Sequence, residues 1–144
     1  MIRAVTPEDR AEWERLFLAY ADFYNTALPD GALETVWGWI HDEAEPYFAA
    51  LAIEDGQAVG LTQYQTMRRS LGGGDVVYLS DLYVDPAQRG KDLGHKLIDH
   101  VREHARHLGA ADVRWLTAED NTTARRLYDR FNPPSGFIMY KAGL

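Results

Sequence analysis

The segment Asp85-Pro86-Ala87-Gln88-Arg89-Gly90-Lys91-Asp92-Leu93-Gly94 carries the most informative spacing in the chain. It leads from a run of strand period into one of helical period, so a helix begins within it. The first turn of a helix offers unpaired backbone N–H groups and a partial positive charge, which together suit an anion. Arg89 and Lys91 add cationic side chains, and Gly90 and Gly94 allow close approach to the backbone. On these residues alone two readings stand level: a phosphate cradle, or an ordinary strand-to-helix turn with solvated charges. Two other patterns carry less. His100, His104 and His107 share a helix flank, but no further ligand is organised beside them, so a solvated flank is expected and no metal site. Gly72-Gly73-Gly74 precedes a strand instead of a helix and is no phosphate loop.

The elements that must position this turn follow from periodicity. Ile2 to Val5 reads as a short strand, and Thr6-Pro7 as a helix start with a cap and a proline at the first helical position. Trp13, Leu16, Phe17, Tyr20 and Tyr24 then keep one helical face, which Leu28-Pro29-Asp30-Gly31 ends. A second helix covers Leu33 to His41, with Trp37 and Trp39 on different faces. Tyr47 to Glu54 and Gln57 to Met67 are strands joined by Asp55-Gly56, a two-residue hairpin signal. Val76 to Val84 is a third strand of this group. Its alternation sets Val76, Tyr78, Leu82 and Val84 on one face and Val77, Leu79, Asp81 and Tyr83 on the other. Leu93, Leu97, Val101, Ala105 and Leu108 mark the clearest helix, closed by Gly109. Asp112 to Thr117 is a strand, Asn121 caps a helix running through Ala124, Leu127, Tyr128 and Phe131, and Phe137 to Tyr140 is a last strand. The passage from strand through helix to strand between Val76 and Thr117 requires a parallel crossover, so the sheet is mixed.

Bulk properties narrow the partners. A chain of 144 residues is one domain by length, and 26% charged residues with 46% hydrophobic ones are ordinary for a folded protein. A formal charge of −7 argues against nucleic acid, whose phosphates need a basic surface. No apolar run is long enough to span a bilayer and the N-terminus lacks a signal peptide, so a soluble cytoplasmic protein without a membrane partner is expected. The absence of cysteine removes disulfides, thiolate metal sites and a cysteine nucleophile.

Leu82-Tyr83-Val84-Asp85-Pro86 followed by Arg89-Gly90-Lys91-Asp92-Leu93-Gly94 resembles the acetyl-CoA signature of the GNAT family (Gcn5-related N-acetyltransferases). The family pattern is Gln/Arg-x-x-Gly-x-Gly/Ala, and Asp92 stands where its first glycine usually lies. Aspartate tolerates a left-handed backbone better than most residues, but its carboxylate must then turn away from the phosphates. A second block, Asn121-Thr122-Thr123-Ala124-Arg125-Arg126-Leu127-Tyr128 with Gly136-Phe137, resembles the family's Asn-x-x-Ala-x-x-Leu-Tyr…Gly-Phe. Trp115 to Asn121 and Leu127 to Tyr140 are similar to the histone/polyamine acetyltransferase-like branch. The resemblance implies a GNAT fold, an α/β architecture of the α+β mixed kind: a central mixed twisted β-sheet of about six to seven strands flanked by four helices. It also implies acetyl-CoA as co-substrate, with Leu82, Tyr83, Val84, Arg89, Gly90, Lys91, Asp92, Leu93, Gly94, His95 and Asn121 contacting it. A homodimer joined through the C-terminal strand is implied by the branch.

The chemistry such an enzyme needs can be assigned to residues. An alkylammonium of pKa about 10.4 is only about 0.04% neutral at pH 7, and only the neutral amine attacks a thioester. A proton acceptor is required, and Asp81 is the candidate, either as base or as a carboxylate that orients the amine; Glu119 is the weaker alternative. Tyr128 matches the family's general-acid tyrosine, although it also lies on the apolar stripe with Leu127 and Phe131. Backbone groups of Leu82 and Val84 are expected to pair with the pantetheine arm, one N–H polarising the acetyl carbonyl. The amine pocket is expected from the N-terminal helices and the Tyr64 to Asp75 region, with Tyr20, Phe23, Tyr24, Trp37 and Trp39 as aromatic supply. The expected function is transfer of acetyl directly to a primary amine of a small molecule, polyamine or amino-acid-like. A protein lysine as acceptor, or a non-catalytic acyl-CoA sensor, are the alternatives.

Overall fold

The apolar stripe of the first helix explains how the sheet is covered on one side. The computed structural model describes residues 1–144, and helix α1 (Arg10–Phe23) buries Trp13, Leu16, Phe17 and Ala21. A short 3-10 turn, Pro7–Asp9, precedes it. Asp9 accepts the Thr6 amide at 2.8 Å and is gripped by Arg3 at 2.6 and 2.9 Å. That guanidinium, above all, holds the Asp9 carboxyl far below the usual range. Helix α2 (Ala32–His41) lays Leu33, Val36, Trp37 and Ile40 against the same cluster.

Strands β1 (Ile2–Ala4), β2 (Tyr47–Glu54), β3 (Gln57–Arg69), β4 (Gly74–Val84) and β5 (Val113–Arg114) form one sheet in sequence order. The first four are antiparallel, and β4 pairs with β5 in parallel. Asp55 (φ 49°) and Gly56 (φ 77°) make the tight turn between β2 and β3. Helix α3 (Leu93–Leu108) is the crossover from β4 to β5, and it covers the second face with Leu93, Leu97, Ile98, Val101 and Ala105. Helix α4 (Thr122–Tyr128) packs Leu127 and Tyr128 beside it.

The alternation expected along β4 does not hold. Gln63 faces Asp81 across the β3–β4 ladder, but the next pair is Tyr64 with Leu79, so Ser80 is an extra residue. A bulge of this kind reverses the inside–outside parity beyond it. Val77 and Leu79 therefore pack on α3, whereas Tyr83 joins the α1 cluster and Leu82 turns to the α3 side. The bulge moves Asp81 off the face of Val77 and Leu79 and onto the face of α1.

The C-terminal strand is also absent, leaving five strands against the six to seven expected. Phe137, Ile138, Met139 and Tyr140 are all exposed and belong to no sheet. The edge they would have joined is too short. Only Val113 and Arg114 of β5 are paired, because the chain turns inward at Trp115, whose ring meets Tyr128 and Phe131. Two residues offer too few ladder bonds to hold another strand.

Candidate active site

Following β4, Pro86–Gln88 makes one 3-10 turn and the chain enters α3 through Asp92. Gly90 (φ 85°) and Asp92 (φ 63°) both take the left-handed conformation. Gln88 and Arg89 still bond back to Asp85 and Pro86, and Lys96 bonds back to Asp92. Between them, the amides of Gly90, Lys91, Asp92, Leu93, Gly94 and His95 find no acceptor within the protein. Such a run of unpaired N–H groups at the head of a 16-residue helix is an anion site in geometry and in charge.

The Asp92 carboxylate does not close this site. It accepts Arg130 at 2.7 Å, from the turn after α4, and that contact holds it below the usual carboxylate range. Lys91 reaches Gln88 at 2.6 Å, and His95 stacks on Phe131. Arg89 donates to the Val84 carbonyl at 3.2 Å while its guanidinium lies over the Phe23 ring. The two glycines serve different ends. Gly90 supplies the backbone angle, with nothing within 4 Å of an added Cβ, whereas a Cβ on Gly94 would sit 2.9 Å from Leu127. Gly94 thus lets α4 approach α3, which brings Tyr128 in.

Strand β5 pairs only with Val77 and Tyr78 of β4. From Leu79 to Val84 that side of β4 has no neighbouring strand, so the sheet opens into a wedge. The amide-rich turn follows this open stretch of β4, and Asp81 lies within it.

A cleft of about 350 Å³ is lined by Phe17, Tyr20, Ala21, Tyr24, Thr26, Leu28 and Asp81. Burial raises the Asp81 carboxyl, opposed by Gln63 and by the Tyr20 phenol, which favour the ionised form. Gln63 Nε2 donates to Asp81 Oδ2 at 2.8 Å. Burial likewise raises Tyr20, whose phenol also feels Asp81, Tyr24 and Tyr128. Tyr128 is pushed up to about 12, mainly by burial and then by Tyr24. Its phenol therefore keeps its proton at neutral pH and can donate it. Tyr24 packs edge-on against Tyr20 with ring centroids 5.0 Å apart.

The structure thus gathers Asp81, Tyr24 and Tyr128 with Tyr20, while Glu119 lies exposed on the turn before α4 and does not line the cleft. Asn121 is the α4 cap, accepting the Ala124 amide at 3.2 Å. Three expected pocket aromatics go elsewhere: Phe23 lies under Arg89, Trp37 packs on Trp13, and Trp39 meets Tyr47. The Tyr64 to Asp75 region does not line the cleft, because Tyr64 sits beyond the bulge in the α3 core. Gln63 was not among the expected site residues. Its signal is a glutamine beside Thr62 within the buried stretch from Ala58 to Tyr64 of β3, where a polar side chain must find partners. The helix histidines are not all on a solvated flank as expected: burial lowers His100 and His104, and the His104 Nε2 is buried without a hydrogen-bond partner. His107 contacts the Glu103 carbonyl, and His104 packs against Phe48 and Tyr64.

Residues 13–132 match the acetyltransferase (GNAT) family, and the chain belongs to that family. It is 32% identical over 143 residues to a D-amino-acid N-acetyltransferase, HPA3, of Saccharomyces cerevisiae, covering 98% of this chain and 89% of that protein. It is 28% identical to the uncharacterized N-acetyltransferase YhfO of Bacillus subtilis, covering 96% of this chain and 94% of that protein. The crystal structure of a probable acetyltransferase superposes with a TM-score of 0.87 at 24% identity, over 100% of this chain and 97% of that one. The protein is an N-acetyltransferase of mixed α/β architecture. No helix is long and apolar enough to cross a membrane.

Proposed function

We propose that the protein transfers the acetyl group of acetyl-CoA directly to a primary amine of a small molecule. One observation carries the reading: the unpaired amides from Gly90 to His95 and the Asp81 cleft both border the stretch of β4 that has no partner on its β5 side. The turn suits the diphosphate of a coenzyme A, with Arg89 and Lys91 as flanking cations, and Leu82 and Val84 offer backbone groups to its arm. The thioester supplies the acetyl group. Asp81 takes a proton from the ammonium, directly or through water, or holds the cation in place. Tyr128 donates its proton to the departing sulfur as the C–S bond breaks. An amide N–H of Leu82 or Val84 steadies the carbonyl oxygen.

The cleft also bears on the acceptor. The groups that act on Asp81 are Gln63 and Tyr20, with no Arg or Lys among them. A buried carboxylate without a cationic partner is balanced by a cation that the acceptor brings, and the aromatic wall of Phe17, Tyr20 and Tyr24 suits an ammonium. This favours a polyamine-like acceptor over an amino-acid-like one, although the yeast relative is named for D-amino acids. The exposed Phe137, Ile138, Met139 and Tyr140 support a homodimer through this segment. A cytoplasmic setting belongs to the same reading.

Isothermal titration with acetyl-CoA, followed by a thiol-release assay over an amine panel and a lysine peptide, tests it. Binding with CoA release on small amines is expected. Release only on the peptide transfers the reading to protein lysines. Binding without any release makes the chain a sensor, a role whose motive, a carboxylate in the phosphate turn, is weakened by the pairing of Asp92 with Arg130.

A further inference from the structure

Gln63 and Trp13 are both fully buried, and no step above uses Trp13. Trp13 Nε1 donates to Gln63 Oε1 at 2.8 Å, and Gln63 Nε2 donates to Asp81 Oδ2 at 2.8 Å. The chain of contacts runs from α1 through β3 to β4 and ends at the cleft. An indole N–H can only donate, so it fixes which end of the Gln63 amide is the oxygen. The other end, an NH₂, must then face Asp81, and it too can only donate. The register makes this possible, since Gln63 stands opposite Asp81 at the last pair before the Ser80 bulge.

We infer that Gln63, oriented by Trp13, is a positioning residue that fixes the Asp81 carboxylate in the cleft and favours its ionised form. The inference rests on the proposed role of Asp81 in handling the acceptor's proton. Every group facing Asp81 is consistent with the need for such a device. Tyr20 from α1, Tyr47 from β2 and Tyr78 from β4 all feel its charge, and no Arg or Lys offsets the cost of burying it. Gln63 thus stands in for a cation. A real cation would neutralise the carboxylate and repel an incoming ammonium, whereas an amide dipole stabilises the ionised form without doing either.

The test is a carbon NMR titration of the Asp81 carboxyl, assigned by its loss in Asp81→Asn, with pH profiles of kcat/KM alongside. In Gln63→Met the Asp81 midpoint is expected to rise, and kcat/KM at neutral pH to fall about tenfold, the usual loss for one hydrogen bond to a charged group. In Gln63→Glu the midpoint is expected to rise further, because two carboxylates then share the site. Trp13→Phe frees the amide to turn its oxygen toward Asp81 and is expected to raise the midpoint as well. An Asp81 midpoint that stays put in all three variants overturns the inference, whatever happens to melting temperature. If the midpoint rises but the kcat/KM profile does not follow it, the positioning stands and the proposed part of Asp81 in catalysis falls.

Discussion

The turn before α3 and the cleft at Asp81 sit along one strand yet have opposite electrostatics. At the turn, six consecutive amides lack acceptors, and Arg89 and Lys91 stand beside them while Arg130 draws the one carboxylate aside. At the cleft, Tyr20, Asp81 and the nearby Tyr128 are shifted by burial first and then by neighbouring acids, phenols and the Gln63 amide, never by an Arg or Lys. The border is sharp. Tyr83, two residues beyond Asp81, is raised by burial and Asp85, but Arg89 and Arg15 already oppose that shift. On the proposed reading, each end of β4 takes the charge it lacks: an anionic donor at one, a cationic acceptor at the other. The bulge at Ser80 keeps the two apart, by sending Asp81 to the α1 face while Leu82 and Val84 turn to α3.

The largest expected effect tests whether Tyr128 links the two ends. Tyr128→Phe removes only the proton donor, so turnover should fall by about 10²-fold or more while acetyl-CoA affinity changes little. Steady-state kinetics with calorimetry would show it, and an unchanged rate would strip the phenol of its role. Next comes the acceptor. Amines should exceed the same skeletons bearing a carboxylate beside the amine by about tenfold or more in kcat/KM, the penalty of setting like charges together at Asp81. Equal rates would mean that a cation reaches the cleft after all.

The turn was legible in the sequence because it is local: glycines, basic residues and the start of a helical period fall within ten positions. Asp81 lines the cleft, but the sequence pattern puts it on the wrong face. Simple alternation placed it with Val77 and Leu79, and a single inserted residue in a ladder leaves no mark in periodicity. Gln63 acts through partners far away in sequence, Trp13 and Asp81, and only the folded register brings them together. Gly94 reads as allowing close approach to the backbone, and what the sequence does not show is that it also makes room for Leu127. The C-terminal segment has strand composition but no partner edge, and strand formation depends on the neighbour as much as on the residues.

A smaller effect probes the cationic end. Asp92→Gly keeps the left-handed turn, releases Arg130 and removes a negative charge from the helix head, so acetyl-CoA should bind about two- to fivefold more tightly. Arg130→Ala frees the Asp92 carboxylate and should weaken binding by a similar factor. Calorimetry at low and high salt reads both, and the two changes should shrink together as salt screens them. Weaker binding by Asp92→Gly would show that the carboxylate supports the turn instead of crowding it.

The smallest effect concerns stability, and it separates the two ends most directly. Burial raises the Asp81 carboxyl, so the folded protein holds that proton to higher pH than the unfolded chain does. Its contribution to stability is then full below the unfolded value, about 3.9, and is lost as pH rises through the folded one. At neutral pH the charged Asp81 costs stability, and Asp81→Asn should raise the melting temperature while lowering activity. The difference should vanish in acid, where wild type is itself protonated. Asp92 lies exposed and ion-paired, so Asp92→Asn should show no such gain. If Asp81→Asn melts lower than wild type at neutral pH, Gln63 and Tyr20 already compensate the charge in full, and the cleft has no need of a cation from its acceptor.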